Sequence, residues 1–241
     1  MEYEILGGNL PVAVCKLQQG ESMFTQSGGL GWFSAGFKMS TNIKGGIFKG
    51  IGRIFMKESF FMTTYKCNAS EGLLAFPSNF PGSIITYDLK PGESIITQKS
   101  SFLCAESSVT LSMHFKSQIM IGLFSGEGFI MQKVTGPGKV FLDIDGSTVR
   151  YSLQSGEIMM VDNSHIASLS STVGIKMVLV KGLMNLFFSG EGVFFIELTG
   201  PGDIMLQTMP IKNLANCIAP YLHFKKSKNV GSSDPNTEYD A

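Results

Sequence analysis

Two short stretches decide how this chain is read: Leu89-Lys-Pro-Gly-Glu93 and, 64 residues later, Leu153-Gln-Ser-Gly-Glu157. Two further landmarks keep that spacing. Phe124-Ser-Gly-Glu-Gly128 returns as Phe188-Ser-Gly-Glu-Gly192, and Thr135-Gly-Pro-Gly138 returns as Thr199-Gly-Pro-Gly202. Three landmarks at one offset mark a duplication. A diverged copy precedes them. Leu17-Gln-Gln-Gly-Glu21 stands 72 residues before the Leu89 stretch, while Phe55-Met-Lys-Glu-Ser59 and Phe80-Pro-Gly82 resemble the other two landmarks. The extra length of this first copy is assigned to Gly28–Gly52, a Gly- and aromatic-rich segment that holds Trp32, the single tryptophan.

Each copy reads as short strands between turns. In the middle copy, residues 93–97, 119–124, 129–134, 140–144 and 148–153 are expected strands. Val149, Tyr151 and Leu153 fall on one face of the last, with Arg150 and Ser152 on the other. Asp145-Gly146 reads as a two-residue hairpin turn. The Gly-Pro-Gly turns end strands, because proline has no ladder donor. One helix is expected near 211–219. Pro210 opens it, Ile211, Leu214, Ala215 and Ile218 follow at helical spacing, and Pro220 closes it. The expected fold class is all-β: three tandem β-sandwich or short double-stranded β-helix units with an internal pseudo-threefold repeat, plus this short helix. The expected organisation is one compact domain over 1–224, with repeats at about 1–87, 88–151 and 152–210. A polar, disordered tail is expected over 225–241, and the lysines at 225, 226 and 228 are read as part of it.

Composition narrows the function classes. With 241 residues and 44% hydrophobic content, the chain has material for a sizeable core. Nineteen Lys and Arg balance nineteen Asp and Glu, so there is no overall positive field of the kind a general nucleic-acid binder carries. Cys15, Cys67, Cys104 and Cys217 are widely spaced and are read as reduced, mostly buried thiols. Glu2 and Glu4 do not suit a secretory signal, and no apolar run approaches membrane-spanning length. A cytoplasmic location is expected.

No catalytic constellation emerges. Gly126-Glu-Gly128 lacks the third glycine of a dinucleotide loop, and no phosphate-loop motif occurs. Glu58, Glu127 and Glu191 occupy matching places in the copies and are read as turn-holding groups. His114, His165 and His223 are far apart and form no metal-ligand spacing. Catalytic, cofactor and metal residues are all expected to be absent, with no cofactor. The Gly28–Gly52 segment is expected to fold over a β-unit; its alternative use is contact with a membrane surface or a partner.

The landmarks together resemble the altered-inheritance-of-mitochondria family, in its bacterial branch. The similarity runs from Tyr3-Glu-Ile5 and Gly20-Glu21 through Met39-Ser-Thr-Asn-Ile-Lys-Gly-Gly46, Gly52-Arg53 and Glu58-Ser-Phe-Phe61. It continues through Phe80-Pro-Gly-Ser-Ile84 and Ser125-Gly-Glu-Gly128 to Thr199-Gly-Pro-Gly202 and Leu206-Gln-Thr-Met-Pro210. The resemblance implies a fold like that of the tryptophan RNA-binding attenuation protein, with three β-units per chain and trimers forming a nine-unit ring. It links mitochondrial members to inner-membrane organisation and offers no catalytic residues. The expected function is therefore a non-enzymatic scaffold or assembly protein acting as a homotrimer. The alternatives are a module binding a small ligand or single-stranded RNA between units, and membrane-surface association through the Gly/aromatic segment. Repeated Lys/Arg–aromatic pairs, which single-stranded RNA binding needs, are not seen.

Overall fold

A computed structural model describes residues 1–44, 60–117, 129–179 and 194–222. The described residues form mainly β-strands, with one short α-helix near residue 215. The strands of the first copy are β1 (Glu2–Leu6), β2 (Val12–Gln18), β3 (Ser22–Gln26), β4 (Trp32–Phe33), β5 (Phe37–Lys44), β6 (Phe60–Cys67) and β7 (Glu71–Pro77). Those of the second are β8 (Gly82–Leu89), β9 (Ser94–Gln98), β10 (Phe102–Glu106), β11 (Thr110–Ser117), β12 (Phe129–Thr135) and β13 (Gly138–Asp145). Then come β14 (Thr148–Leu153), β15 (Ile158–Val161), β16 (Ile166–Ser170), β17 (Gly174–Leu179), β18 (Phe194–Thr199), β19 (Gly202–Gln207) and α1 (Ile211–Ile218).

These strands form four sheets. The first has the order β1-β2-β7-β4. The second has β5-β6-β3-β10-β13-β8, the third β11-β12-β9-β16-β19-β14, and the fourth β15-β18-β17. The second and third repeat one pattern strand for strand. The sheets stack face to face, and three apolar slabs fill the spaces between them. Ala13, Cys15, Leu17, Leu74 and Phe76 of the first sheet meet Met23, Cys104 and Phe141 of the second. Phe24, Val140 and Leu142 on the other face of the second meet Ile95, Val134 and Ala167 of the third. Ile96, Met131 and Ile204 of the third meet Val161, Ile196 and Leu198 of the fourth. Middle sheets covered on both faces explain the continuous apolar runs in their strands. Phe102–Glu106 is buried at four successive positions, so it shows no alternation, and the sequence reading passed over it.

The Gly-Glu landmark is a tight turn made three times. The N–H of Glu21, Glu93 and Glu157 donates to the carbonyl of Gln18, Lys90 and Gln154, at 3.1, 3.0 and 3.0 Å. The same three glutamates use their carboxylates to accept the N–H groups of Gln18, Lys90 and Gln154, at 2.7, 2.9 and 2.8 Å. Gly20, Gly92 and Gly156 hold φ values of +90°, +81° and +78°, as the third residue of such a turn requires.

Two expectations change. Asp145-Gly146 does turn the chain, with Gly146 at φ +77°, but it makes no hairpin. It carries the chain from β13 in the second sheet to β14 in the third. The Gly146 N–H donates to Pro81 rather than across a strand pair. Nor does the extra length of the first copy lie between Gly28 and Lys44. Register places Phe33 opposite Leu74 and Ala105 opposite Val140, so β4 is the counterpart of β10 at the same 72-residue spacing. Residues 45–52 of that segment lie outside the described residues, as do the 119–124 strand and the 225–241 tail.

One rim carries a staircase of bonds. The Gly82 N–H donates to Asn9 and the Gly146 N–H to Pro81, both at 2.9 Å. The next position in the series is Pro210, which has no N–H. Asp145 spans the gap. Its carbonyl accepts the Met209 N–H at 3.2 Å, and its carboxylate accepts the Ile211 N–H at 2.9 Å and opens α1.

Two glycine substitutions separate conformation from space. A Cβ on Gly92 meets nothing within 4 Å, so Gly92→Ala should cost only the left-handed backbone penalty, about 1–2 kcal/mol. A Cβ on Gly82 would sit 1.8 Å from the Ile144 carbonyl oxygen. Gly82→Ala should therefore lower the unfolding midpoint clearly more in denaturant titrations of both variants; equal losses would refute this account.

Candidate assembly interface

Two seams join the copies, and both are strand pairs. At the first, β3 of copy one lies antiparallel to β10 of copy two, with Thr25 opposite Cys104 and Phe24 opposite Ala105. At the second, β9 lies against β16, with Thr97 opposite Ser168 and Ile96 opposite Leu169. Each seam also has a side-chain lock. Thr25 Oγ1 donates to the Leu103 carbonyl at 2.6 Å, and Thr97 Oγ1 donates to the Ala167 carbonyl at 2.9 Å. Both threonines are buried. A hydroxyl placed there costs nothing only because it is paired.

A strand from the preceding sheet closes over each seam. Cys15 of β2 packs in one cluster with Cys104, and burial followed by the neighbouring Cys15 thiol pushes the Cys104 thiol up. At the equivalent place on the next sheet, the Tyr87 hydroxyl of β8 lies 2.9 Å from the Ser168 Oγ.

The ends of the array lack such partners. β15 is the edge of the fourth sheet, and β4 is the edge of the first. Among the described residues nothing pairs with the outer side of either. Ile158 and Met160 of β15 are 57% and 43% exposed, and Trp32 and Phe33 of β4 are 52% and 43% exposed. Tyr151 on the edge strand β14 is 44% exposed, and Val149 beside it is also exposed. Apolar exposure along a strand edge is the kind of feature that contact surfaces carry. The aromatics of the Gly-rich segment thus divide. Phe37 packs against the first slab, and Phe33 touches both Phe37 and Tyr65 by its ring, whereas Trp32 stands out. The sequence singled out Trp32 but missed Tyr151, Ile158 and Met160. Their signal was the break in alternation at β15, which is visible only once its counterparts β3 and β9 are known to be seam strands.

The other residues raised by the sequence are dispersed. His114 is exposed on β11, and burial, then the charge of Lys133, lower its pKa. His165 sits in a short 3-10 turn. Its Nδ1–H donates to the Gln207 carbonyl at 2.7 Å, and its Nε2 accepts from Asn213 at 3.3 Å. It thereby anchors α1. Cys15, Cys67 and Cys104 are buried free thiols, and Cys217 is exposed. Glu58, Glu127, Glu191 and His223 lie outside the described residues. Among the described residues no group of three His, Cys, Asp or Glu side chains is placed to hold a metal, and no helix is long and apolar enough to cross a membrane. A cavity of about 240 Å³ opens at one end of the first seam, lined in part by Leu17, Glu21, Ser22, Glu106, Ser107 and Ser108. Glu21 is held below its ordinary pKa chiefly by the N–H of Gln18, with burial opposing and the Met1 ammonium adding to the effect.

Thr97→Val should remove the seam lock and leave a buried carbonyl short of a donor, costing about 1–2 kcal/mol; calorimetry that shows no loss would remove the lock from the account. A depressed Glu21 pKa contributes stability above the unfolded-state pKa, and this is lost as pH falls through the folded-state value. Glu21→Gln should therefore flatten the decline in melting temperature below the ordinary carboxylate range, and an unchanged slope would count against it.

The model of the family described as "Mitochondrial biogenesis AIM24" matches residues 3–209 of the chain. An uncharacterized protein of Streptococcus pyogenes serotype M6 is 26% identical over 219 residues, covering 88% of this chain and 87% of that protein. A Streptococcus pyogenes protein solved by X-ray crystallography superposes with a TM-score of 0.73 at 23% identity, covering 92% of this chain and 99% of that one. That likeness carries the fold.

Proposed function

The chain belongs to the AIM24 family, and on that premise we propose that it is a non-enzymatic assembly protein that forms a homotrimeric ring. One observation carries the reading. The second and third sheets each contain six strands in one order, whereas the fourth sheet holds the counterparts of only the first three, as β17-β18-β15. The first sheet holds the counterparts of the other three, as β4-β7-β2, with β1 added. The two half-sheets are complementary. Placed side by side between two copies, they would make a third sheet of the same six-strand pattern, with β15 of one copy against β4 of the next and β1 as a seventh strand.

A head-to-tail contact of this kind uses different surfaces on the two partners, so it closes into a ring or runs on as a filament. Closure would remove the two edges at β15 and β4. The count of three follows the resemblance set out above. A small-ligand module at the seams is the second reading, favoured by the cavity beside Glu21 and Glu106. Native mass spectrometry that finds no retained molecule would weigh against it.

Light scattering at micromolar concentration should give three times the 26.1 kDa chain mass. Met160→Lys, at an exposed edge position, should give a folded monomer with an unchanged β-type circular dichroism spectrum. A monomeric wild-type protein would sink the proposal.

A further inference from the structure

The two internal seams set the terms that a third would have to meet. We infer that the seam between copies has one register, with Trp32 of one copy opposite Val161 of its neighbour and Phe33 opposite Met160, and that Tyr151 of that neighbour packs on Trp32. This rests on the head-to-tail assembly proposed above and specifies its chemistry.

The correspondence comes from register alone. In β2, β8 and β14, Leu17, Leu89 and Leu153 lie opposite Gly72, Gly138 and Gly202. Counting two residues back makes Cys15, Tyr87 and Tyr151 equivalent. In β4, β10 and β16, Trp32, Cys104 and Ser168 lie opposite the equivalent residues Ala75, Phe141 and Met205. In β3, β9 and β15, Thr25, Thr97 and Val161 lie opposite Thr63, Gln132 and Ile196. The internal seams pair Thr25 with Cys104 and Thr97 with Ser168. The third member of that series is Val161 with Trp32.

The faces agree with this. Cys15 of the first sheet meets Cys104 of the second, and Tyr87 of the second meets Ser168 of the third. Tyr151 lies opposite Ile204, whose side chain joins the slab beneath the fourth sheet. It therefore points to where the half-sheet of the next copy would complete that sheet. Ala105 and Leu169, the counterparts of Phe33, are buried, and so are Phe24 and Ile96, the counterparts of Met160. Phe33 and Met160 are the members of these two sets left exposed.

The chemistry of this seam differs from that of the other two. Thr25 and Thr97 donate across the internal seams, and Val161 has no hydroxyl to do so. A Tyr–Trp contact stands where the internal seams place Cys–Cys and Tyr–Ser. The seam is apolar and aromatic, and a second copy of this chain is its occupant.

The test begins with a Cys217→Ser background, because Cys217 is the exposed native thiol. Phe33→Cys with Met160→Cys puts thiols at directly opposed positions, within disulfide reach. Mild oxidation should give covalent multimers on a non-reducing gel. Phe33→Cys with Ile158→Cys, offset by two residues, should not. Should the first pair block association, Trp32→Cys with Val161→Cys tests the same register. In the otherwise native chain, Tyr151→Ala should shift the emission of Trp32, the only tryptophan, to longer wavelength in the assembled protein. An oligomer that cross-links only through the offset pair overturns the register. An oligomer whose tryptophan emission ignores Tyr151→Ala overturns the aromatic contact. A wild-type chain that stays monomeric removes the head-to-tail assembly itself, and this inference with it.

Discussion

Everything in this molecule depends on strand pairing across the boundaries between copies. A copy cannot complete a sheet from its own strands. Three of its strands finish a sheet begun by one neighbour, and the other three begin a sheet that the next neighbour finishes. The pairing of β3 with β10 and of β9 with β16 therefore does two jobs. It joins copies along the chain, and it creates the six-stranded sheets whose faces enclose the apolar slabs. Backbone donors and acceptors in a strand must be paired or solvated. An array built this way always ends in two unfinished halves.

The turns serve that arrangement. Each Gly-Glu turn reverses the chain between a strand of one sheet and a strand of the next, as from β2 to β3 and from β8 to β9. Such a turn cannot draw on the ladder of a hairpin for its hydrogen bonds. It supplies its own, the carboxylate of the glutamate accepting the N–H of the residue three earlier. This explains why the glutamate recurs in all three copies although Gln19, Pro91 and Ser155 at the turn differ.

The repeat, the helix and three of the six strands of the middle copy, β9, β12 and β13, were legible in the sequence, because turn chemistry and alternation are local. Thr148–Leu153 fell where expected, and α1 differed from expectation by one residue. What escaped was non-local. Asp145-Gly146 has the composition of a hairpin turn, and only the sheet assignment reveals that its two strands part company. Phe102–Glu106 is hidden by burial on both faces. The Gly28–Gly52 stretch looked like an insertion, because the counterparts of its aromatics up to Lys44, Cys104 and Ser168 among them, are not aromatic. Trp32 was conspicuous as a lone tryptophan, yet the surface proposed to meet it, at Tyr151, came into view only when the copies were laid over one another strand by strand.

Pro210 changes the step that this rim otherwise repeats. Tandem duplication adds a unit by repeating what came before, and each new unit here steps off its predecessor through one amide, first at Gly82 and then at Gly146. The third position is a proline, whose ring nitrogen has no hydrogen to donate. Asp145 instead gathers the chain on either side of the proline and turns it into a helix. A single ring nitrogen thus separates a step that leads into another strand from one that leads into a helix.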